Sequence, residues 1–201
     1  MRACIVVFVF LSLLCGIVYP LAVTGIAQVV CPERASGSVV REGDRTFGSE
    51  LIGQQFDHPA YVWGRPSATK TPCAPCQPDL SAGSSGSNLG PLHPDLRAGV
   101  AARIDALRGA AKAVGLESTA PVPVDLVTAS ASGLDPHVSP AAAEFQVERI
   151  ARVRAVEPQR VREVLATATS GRQYGLLGEP VVHVLAANRA LDRVFGPPAP
   201  R

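Results

Sequence analysis

"PVPVDLVTASASGLDPHVSPAAAEFQVERIARVR", residues 121–154, holds the transition that decides the fold. Its first ten residues read as a strand, with Val122, Val124 and Leu126 on one face and Val127 opening a more buried patch. Its last fifteen read as a helix. Ser139 is a helix-capping residue type and Pro140 suits a first helical position, where a missing N–H costs nothing. Ala143, Val147, Ile150 and Ala151, with Val153 or Arg154, give that helix a narrow apolar face. Glu144, Glu148, Arg149, Arg152 and Arg154 supply charge, and Glu148 and Arg152 are spaced for an i,i+4 pair. Between strand and helix lie Ser132, Asp135 and His137, the residue types of a hydrolase. Their closeness in sequence does not by itself create a nucleophile, a base and an oxyanion site. No G-x-S-x-G elbow is present. Asp135-Pro136 favours a turn in which the carboxylate bonds its own backbone. The residues favour loop shaping over catalysis.

Outward from this stretch, "HPDLRAGVAARIDALRGAAKAVG" (93–115) is the clearest soluble helix. Leu96, Val100, Ile104, Leu107, Ala111 and Val114 form one stripe at spacings of four and three, and Gly115 stops it. A third helix is expected from Pro158, carrying Val161, Val164 and Leu165. Val181–Leu185 reads as a second strand, followed by a short helical tail with Leu191 and Val194. "GPPAPR" (196–201) frays. "HPAYVWGRPSA" contains a short extended segment in which Tyr61 and Trp63 alternate with Val62. Trp63, the single tryptophan, reads as a core or interface anchor.

The N-terminus carries the strongest physical signal. From Ala3 to Pro32 there is no charged residue, more than the ~20 apolar residues that span a bilayer. A signal peptide is the alternative, but the apolar run exceeds its usual length and no A-x-A cleavage pattern is well formed. A retained anchor over residues 1–32 is the expectation, with Pro20 kinking or ending the helix near its outer end. Arg2 and the terminal amine precede the span, which places the N-terminus inside and residues 33–201 outside. The architecture expected is one transmembrane helix followed by a small extracytoplasmic α+β domain, with few strands crossed by three helices. The net charge of +2 provides no basic field for nucleic acid.

Residues 67–91 show no hydrophobic periodicity and read as a long loop with an inserted portion. Cys73 and Cys76 stand there in C-x-x-C spacing. Outside the membrane a disulfide is the simplest outcome, with free thiols and a metal or redox site as alternatives; a zinc site would need two more ligands. "GSSGSNLGP" (83–91) is glycine-rich, but no Lys-Ser/Thr follows to make a phosphate loop. A tight turn with positive φ at glycine is the simpler reading.

Taken together, "GSELIGQQF", "YVWGRPSA", "GSNLGP", residues 121–154 and "LGEPVVHVLAANRALD" closely resemble the KdpC family, the C subunit of the Kdp potassium-transporting ATPase. The resemblance runs to about residue 193, and "DLVTASASGLDPHVSPAAAEFQ" is its most specific part. It implies a single-span, non-catalytic subunit of a bacterial inner-membrane complex, needed for assembly and activity. The implied partners are a P-type ATPase subunit, a channel-like potassium-binding subunit and, as a further candidate, a small single-span subunit, with lipid around the anchor. ATP and potassium are used by the complex, and no cofactor is expected on this chain. The family's catalytic-chaperone role, raising the ATP affinity of the ATPase subunit, would use a glycine-rich loop that falls here at Ser84, Ser85, Gly86, Ser87 and Asn88. Ser85 stands where the first glycine is expected. His183 stands where the family usually has asparagine. The resemblance favours docking for the opening stretch, with Ser132, Gly133, Asp135 and His137 as partner-contact residues. A membrane-anchored hydrolase and an extracytoplasmic thiol-disulfide protein are the alternatives.

Overall fold

The computed structural model describes residues 1–69, 83–117 and 119–198. Cys73 and Cys76 lie outside the described residues, as do the last three residues of the C-terminal tail. The chain divides into two compact units, Met1–Leu51 and Ile52–Arg201.

In the first unit, α1 (Arg2–Leu13) and α2 (Tyr19–Val30) flank a wide turn over Leu14–Val18, so that Arg2–Val30 is one helix long and apolar enough to cross a membrane. Pro20 does not end it. The Tyr19 amide reaches back to the Leu14 carbonyl, five residues away. This wider ring takes up the register where proline has no N–H to give, the ordinary role of such a bulge. A short helix, α3 (Pro32–Ala35), follows, then an antiparallel hairpin of β1 (Val39–Glu42) and β2 (Arg45–Ser49). Gly43 takes the left-handed turn position at φ 57°.

The second unit is built around α4 (Pro94–Lys112), α5 (Pro140–Arg154), α6 (Pro158–Thr167) and α7 (Val184–Phe195). Its sheet has the order β3 (His137–Val138), β5 (Val181–His183), β4 (Thr169–Ser170), all antiparallel. The registers place His137 opposite His183 and Val138 opposite Val182. Val62, Val138, Val147, Ile150, Val161, Val182 and Leu191 form the most deeply buried part of the core. The expected cap of α5 is present: Ser139 Oγ accepts from the Ala142 amide at 3.1 Å. α4 turns only Leu107 fully inward, with Val100 and Ile104 half-buried against the core.

Several expectations are corrected. Residues 121–130 contain no strand. Pro121 and Pro123 remove two amides from any ladder, and Val124–Leu126 winds into a 3-10 turn closed by Leu126 N–H on the Pro123 carbonyl at 3.1 Å. The second strand stops at His183. The His183 ring accepts the Ala186 amide at 3.2 Å and starts α7 there, so the expected short tail is a full helix of twelve residues. Among the described residues, four helices rather than three therefore build the unit. Glu148 bonds to Arg162 of α6 at 3.4 Å rather than to Arg152, and Arg162 also holds Glu144.

The segment Ala60–Trp63, expected to be extended, leaves a turn closed by the Tyr61 amide on the His58 carbonyl at 3.0 Å and pairs with no strand. Side chains satisfy its backbone instead. Asn188 accepts the Val62 amide at 2.7 Å and donates to its carbonyl at 3.0 Å. Gln146 does the same for Trp63, at 2.8 and 3.1 Å. Arg149 donates to the carbonyls of Pro59 and Tyr61, and Arg154 to that of Ala60. Arg149 is only 4% exposed although its residue type suggests a charged face, and its guanidinium lies over the Trp63 ring at 4.6 Å. Burial pushes its pKa down to about 10, which still leaves it charged at neutral pH. The Tyr61 hydroxyl donates to Asp192 at 2.7 Å; burial and that bond push its pKa up to about 12.

Candidate functional site

The strand-to-helix stretch forms a polar junction in the second unit, where four separated segments meet. Ser130 is buried, and its amide donates to the Pro66 carbonyl at 3.3 Å. Gly133 is buried at φ 67°, a left-handed turn that glycine adopts without strain. A Cβ at Gly133 would stand 2.6 Å from the Ser85 carbonyl oxygen. The Gly133 carbonyl accepts from Ser67 Oγ at 2.6 Å. On the other side, the Gly53 amide donates to the Leu134 carbonyl at 2.8 Å, and a Cβ at Gly53 would lie 2.4 Å from the Asp135 carbonyl oxygen. Close backbone packing, rather than a ladder, holds the segments together.

The two sequence-derived sites meet here. The Ser85 amide donates to the Ser132 carbonyl at 3.0 Å, and Ser84 Oγ donates to the same oxygen at 2.9 Å. Gly86 faces the Ala131 carbonyl, 2.8 Å from where a Cβ would be. Asn88 takes the left-handed position at φ 52°, and Ser87 is exposed beside it. The positive φ expected at glycine is found at Gly83 and at Asn88, but not at Gly86.

Asp135 organises the far end. One carboxylate oxygen accepts from the His137 amide at 3.0 Å, the aspartate turn expected before a proline. The other accepts from Arg65 Nη1 at 3.0 Å. Arg65 and Asp135 are 26% and 27% exposed, so the pair is partly desolvated. The His137 ring stands edge-on to His183 at 5.2 Å, with its Nδ1 3.7 Å from Asp135. Burial, and secondarily the neighbouring His183, hold the His137 pKa below its ordinary value, against the opposing pull of Asp135. A cleft of about 290 Å³ runs alongside, bounded by Gly53, Phe56, Trp63, Arg65, Leu107 and Asp135.

The hydrolase arrangement is not assembled. Ser132 Oγ accepts from the Leu134 amide at 3.1 Å. Among the described residues it shares no hydrogen bond with His137. No group of three metal-ligating side chains is found among the described residues. Sequence reasoning did not single out Gly53, Arg65 or Ser67. Gly64-Arg65-Pro66 was legible only as the end of an extended segment.

The K+-transporting ATPase c chain family, KdpC, matches residues 1–193. The chain belongs to the KdpC family. The potassium-transporting ATPase KdpC subunit of Burkholderia mallei strain SAVP1 is 54% identical over 191 residues, covering 95% of this chain and 94% of that protein. The KdpC subunit of Burkholderia pseudomallei strain K96243 shows the same identity and coverage. That of Burkholderia orbicola strain MC0-3 is 52% identical over 191 residues, again covering 95% of this chain and 94% of that protein. The junction of Gly53, Ser67, the 84–88 loop and Asp135 is therefore a feature of a KdpC-family chain.

Proposed function

We propose that this chain is the single-span accessory subunit of a potassium-transporting ATPase, and that the junction around Ser132, Gly133, Asp135 and His137 docks it to the channel-like subunit. The observation that carries the reading is the family match over residues 1–193. The apolar helix Arg2–Val30 supports membrane anchoring. Arg2 ahead of the span, against the mixed charges Glu33 and Arg34 after it, supports an inside N-terminus and an outside domain. In this arrangement ATP is hydrolysed on the P-type subunit and potassium is bound by the channel-like subunit, and this chain promotes their assembly. The 84–88 loop turns the Ser85 amide and the Ser84 hydroxyl toward Ser132. That orientation favours a packing role for the loop over a nucleotide cradle and the catalytic-chaperone role.

The test is affinity purification of the tagged full chain from gently solubilised native membranes, with co-purifying proteins identified by mass. A P-type ATPase subunit and a large multi-span potassium subunit are expected. A chain that purifies alone, while other membrane complexes stay intact, overturns the reading. Asp135→Ala and His137→Ala should each reduce recovery of those subunits or potassium uptake. Unchanged recovery and uptake in both variants would remove the junction from the interface.

A further inference from the structure

The loop between β4 and β5 is exposed along residues 171–180, yet it is tightly built. Gln173 and Leu177 exchange two backbone hydrogen bonds of 2.8 and 2.9 Å, and the Leu176 amide adds one of 3.1 Å to the Gln173 carbonyl. Arg172 Nη2 lies 2.8 and 2.7 Å from the two carboxylate oxygens of Glu179 and closes the base of the loop. The tip is apolar: Tyr174, Leu176 and Leu177 are 97%, 78% and 57% exposed. Tyr174 and Gly175 both take left-handed backbone angles, with φ 54° and 73°. Tight hairpins with two consecutive left-handed residues ordinarily use Asn-Gly or Asp-Gly, and a bulky residue there is disfavoured. Tyrosine stands at the tip against both that preference and solubility. Its hydroxyl and ring meet no partner among the described residues.

We propose that this tip is a docking knob that inserts Tyr174 and Leu176 into an apolar pocket on another subunit of the potassium-transporting ATPase. The inference rests on the accessory-subunit reading above. Three adjacent exposed apolar side chains on a fixed turn mark an interaction site. A tyrosine offers large contact area with few rotatable bonds, as buried interface anchors do. The backbone bonds and the Arg172–Glu179 clamp fix the turn in advance, so little ordering remains for binding. Charge argues for protein over lipid. Interfacial segments combine apolar residues with surplus Lys or Arg for anionic headgroups, whereas Arg172, the one cation in this loop, is neutralised by Glu179.

The test uses the tagged full chain in its native membranes, with the photo-crosslinking amino acid p-benzoylphenylalanine in place of Tyr174, a near match in shape. Irradiation should produce an adduct whose mass and peptides identify another subunit of the ATPase. An adduct with lipid or with a second copy of this chain overturns the proposal, as does no adduct in preparations that contain the complex. In parallel, Tyr174→Ser combined with Leu176→Ser should reduce co-purified subunits by roughly ten-fold or more, with the unfolding midpoint of the chain unchanged. Wild-type recovery by the double variant also overturns it. If the unsubstituted chain recovers no other subunit, the accessory-subunit reading itself fails and takes this inference with it; if it recovers them and the variant does too, only the knob is lost.

Discussion

Two regions of the second unit bring distant segments together by opposite means. The segment Ala60–Trp63 is held by long polar side chains that enter the core, namely Gln146, Arg149, Arg154 and Asn188. The junction around Gly133 is held by close backbone approach and short serine side chains, with carbonyl oxygens packed where Cβ atoms would otherwise stand at Gly53, Gly86 and Gly133. In the first region the bonds are buried or partly buried, and each missing partner would leave an unsatisfied group away from solvent. In the second, Ser84, Ser85 and Ser132 are exposed, and what is fixed is the shape of a surface. The clamp should govern stability and the junction should govern assembly.

The largest expected effect is on the clamp. Asn188→Ala strands the amide and carbonyl of Val62, both served by one side chain that is 1% exposed. It should destabilise the fold by about 2 to 4 kcal/mol, read from denaturant unfolding of the detergent-solubilised chain. Gly133→Ala comes next. The added methyl meets the Ser85 carbonyl at 2.6 Å on a left-handed backbone, costing about 1 to 3 kcal/mol, and it should lower subunit recovery more than its stability loss explains. Should Gly133→Ala unfold the domain more than Asn188→Ala, the clamp is not what governs stability. Arg65→Ala, which removes the partly buried partner of Asp135, should cost only about 1 kcal/mol; equal unfolding curves with reduced recovery would sharpen the comparison further.

The smallest effect concerns pH. The His137 pKa in the fold lies below its unfolded value, so the unfolded chain binds the proton more readily. The contribution is fully present above the ordinary histidine value and is lost as pH falls through it toward the folded value. Unfolding midpoints measured between about pH 7 and pH 5 should fall less steeply for His137→Gln than for the natural chain. Parallel curves would mean that the ring is not held neutral by its surroundings.

Much of this fold was legible because local rules and tertiary packing agree. Ser139-Pro140 and the stripe through Val147 and Ile150 specify α5 at the level of capping and period, and Pro158 begins α6 in the same way. The readings fail where one residue overrides its neighbours. Val122, Val124 and Leu126 alternate like a strand, but two prolines deny them a ladder. Val184 and Leu185 continue the apolar run of β5, but the ring of His183 caps a helix at that point. Arg149 was legible as a surface charge because nothing local announces a buried backbone in need of donors ninety residues earlier. The site divides similarly. The Asp135 turn is written in Asp-Pro. The meeting of Gly133 with Ser85 and of Gly53 with Asp135 depends on contacts across the fold that no local pattern encodes.

The clamp also fixes an order of events in synthesis. Val62 is made early, and the residue that satisfies its backbone lies 126 positions later, with Asp192, the partner of Tyr61, 131 positions on. Until α7 has been made, the Ala60–Trp63 segment lacks these partners and its long loop must be closed at an entropic cost. A nascent chain that stalls before Val184 therefore holds an unfinished core, and the domain closes only once α7 has been released.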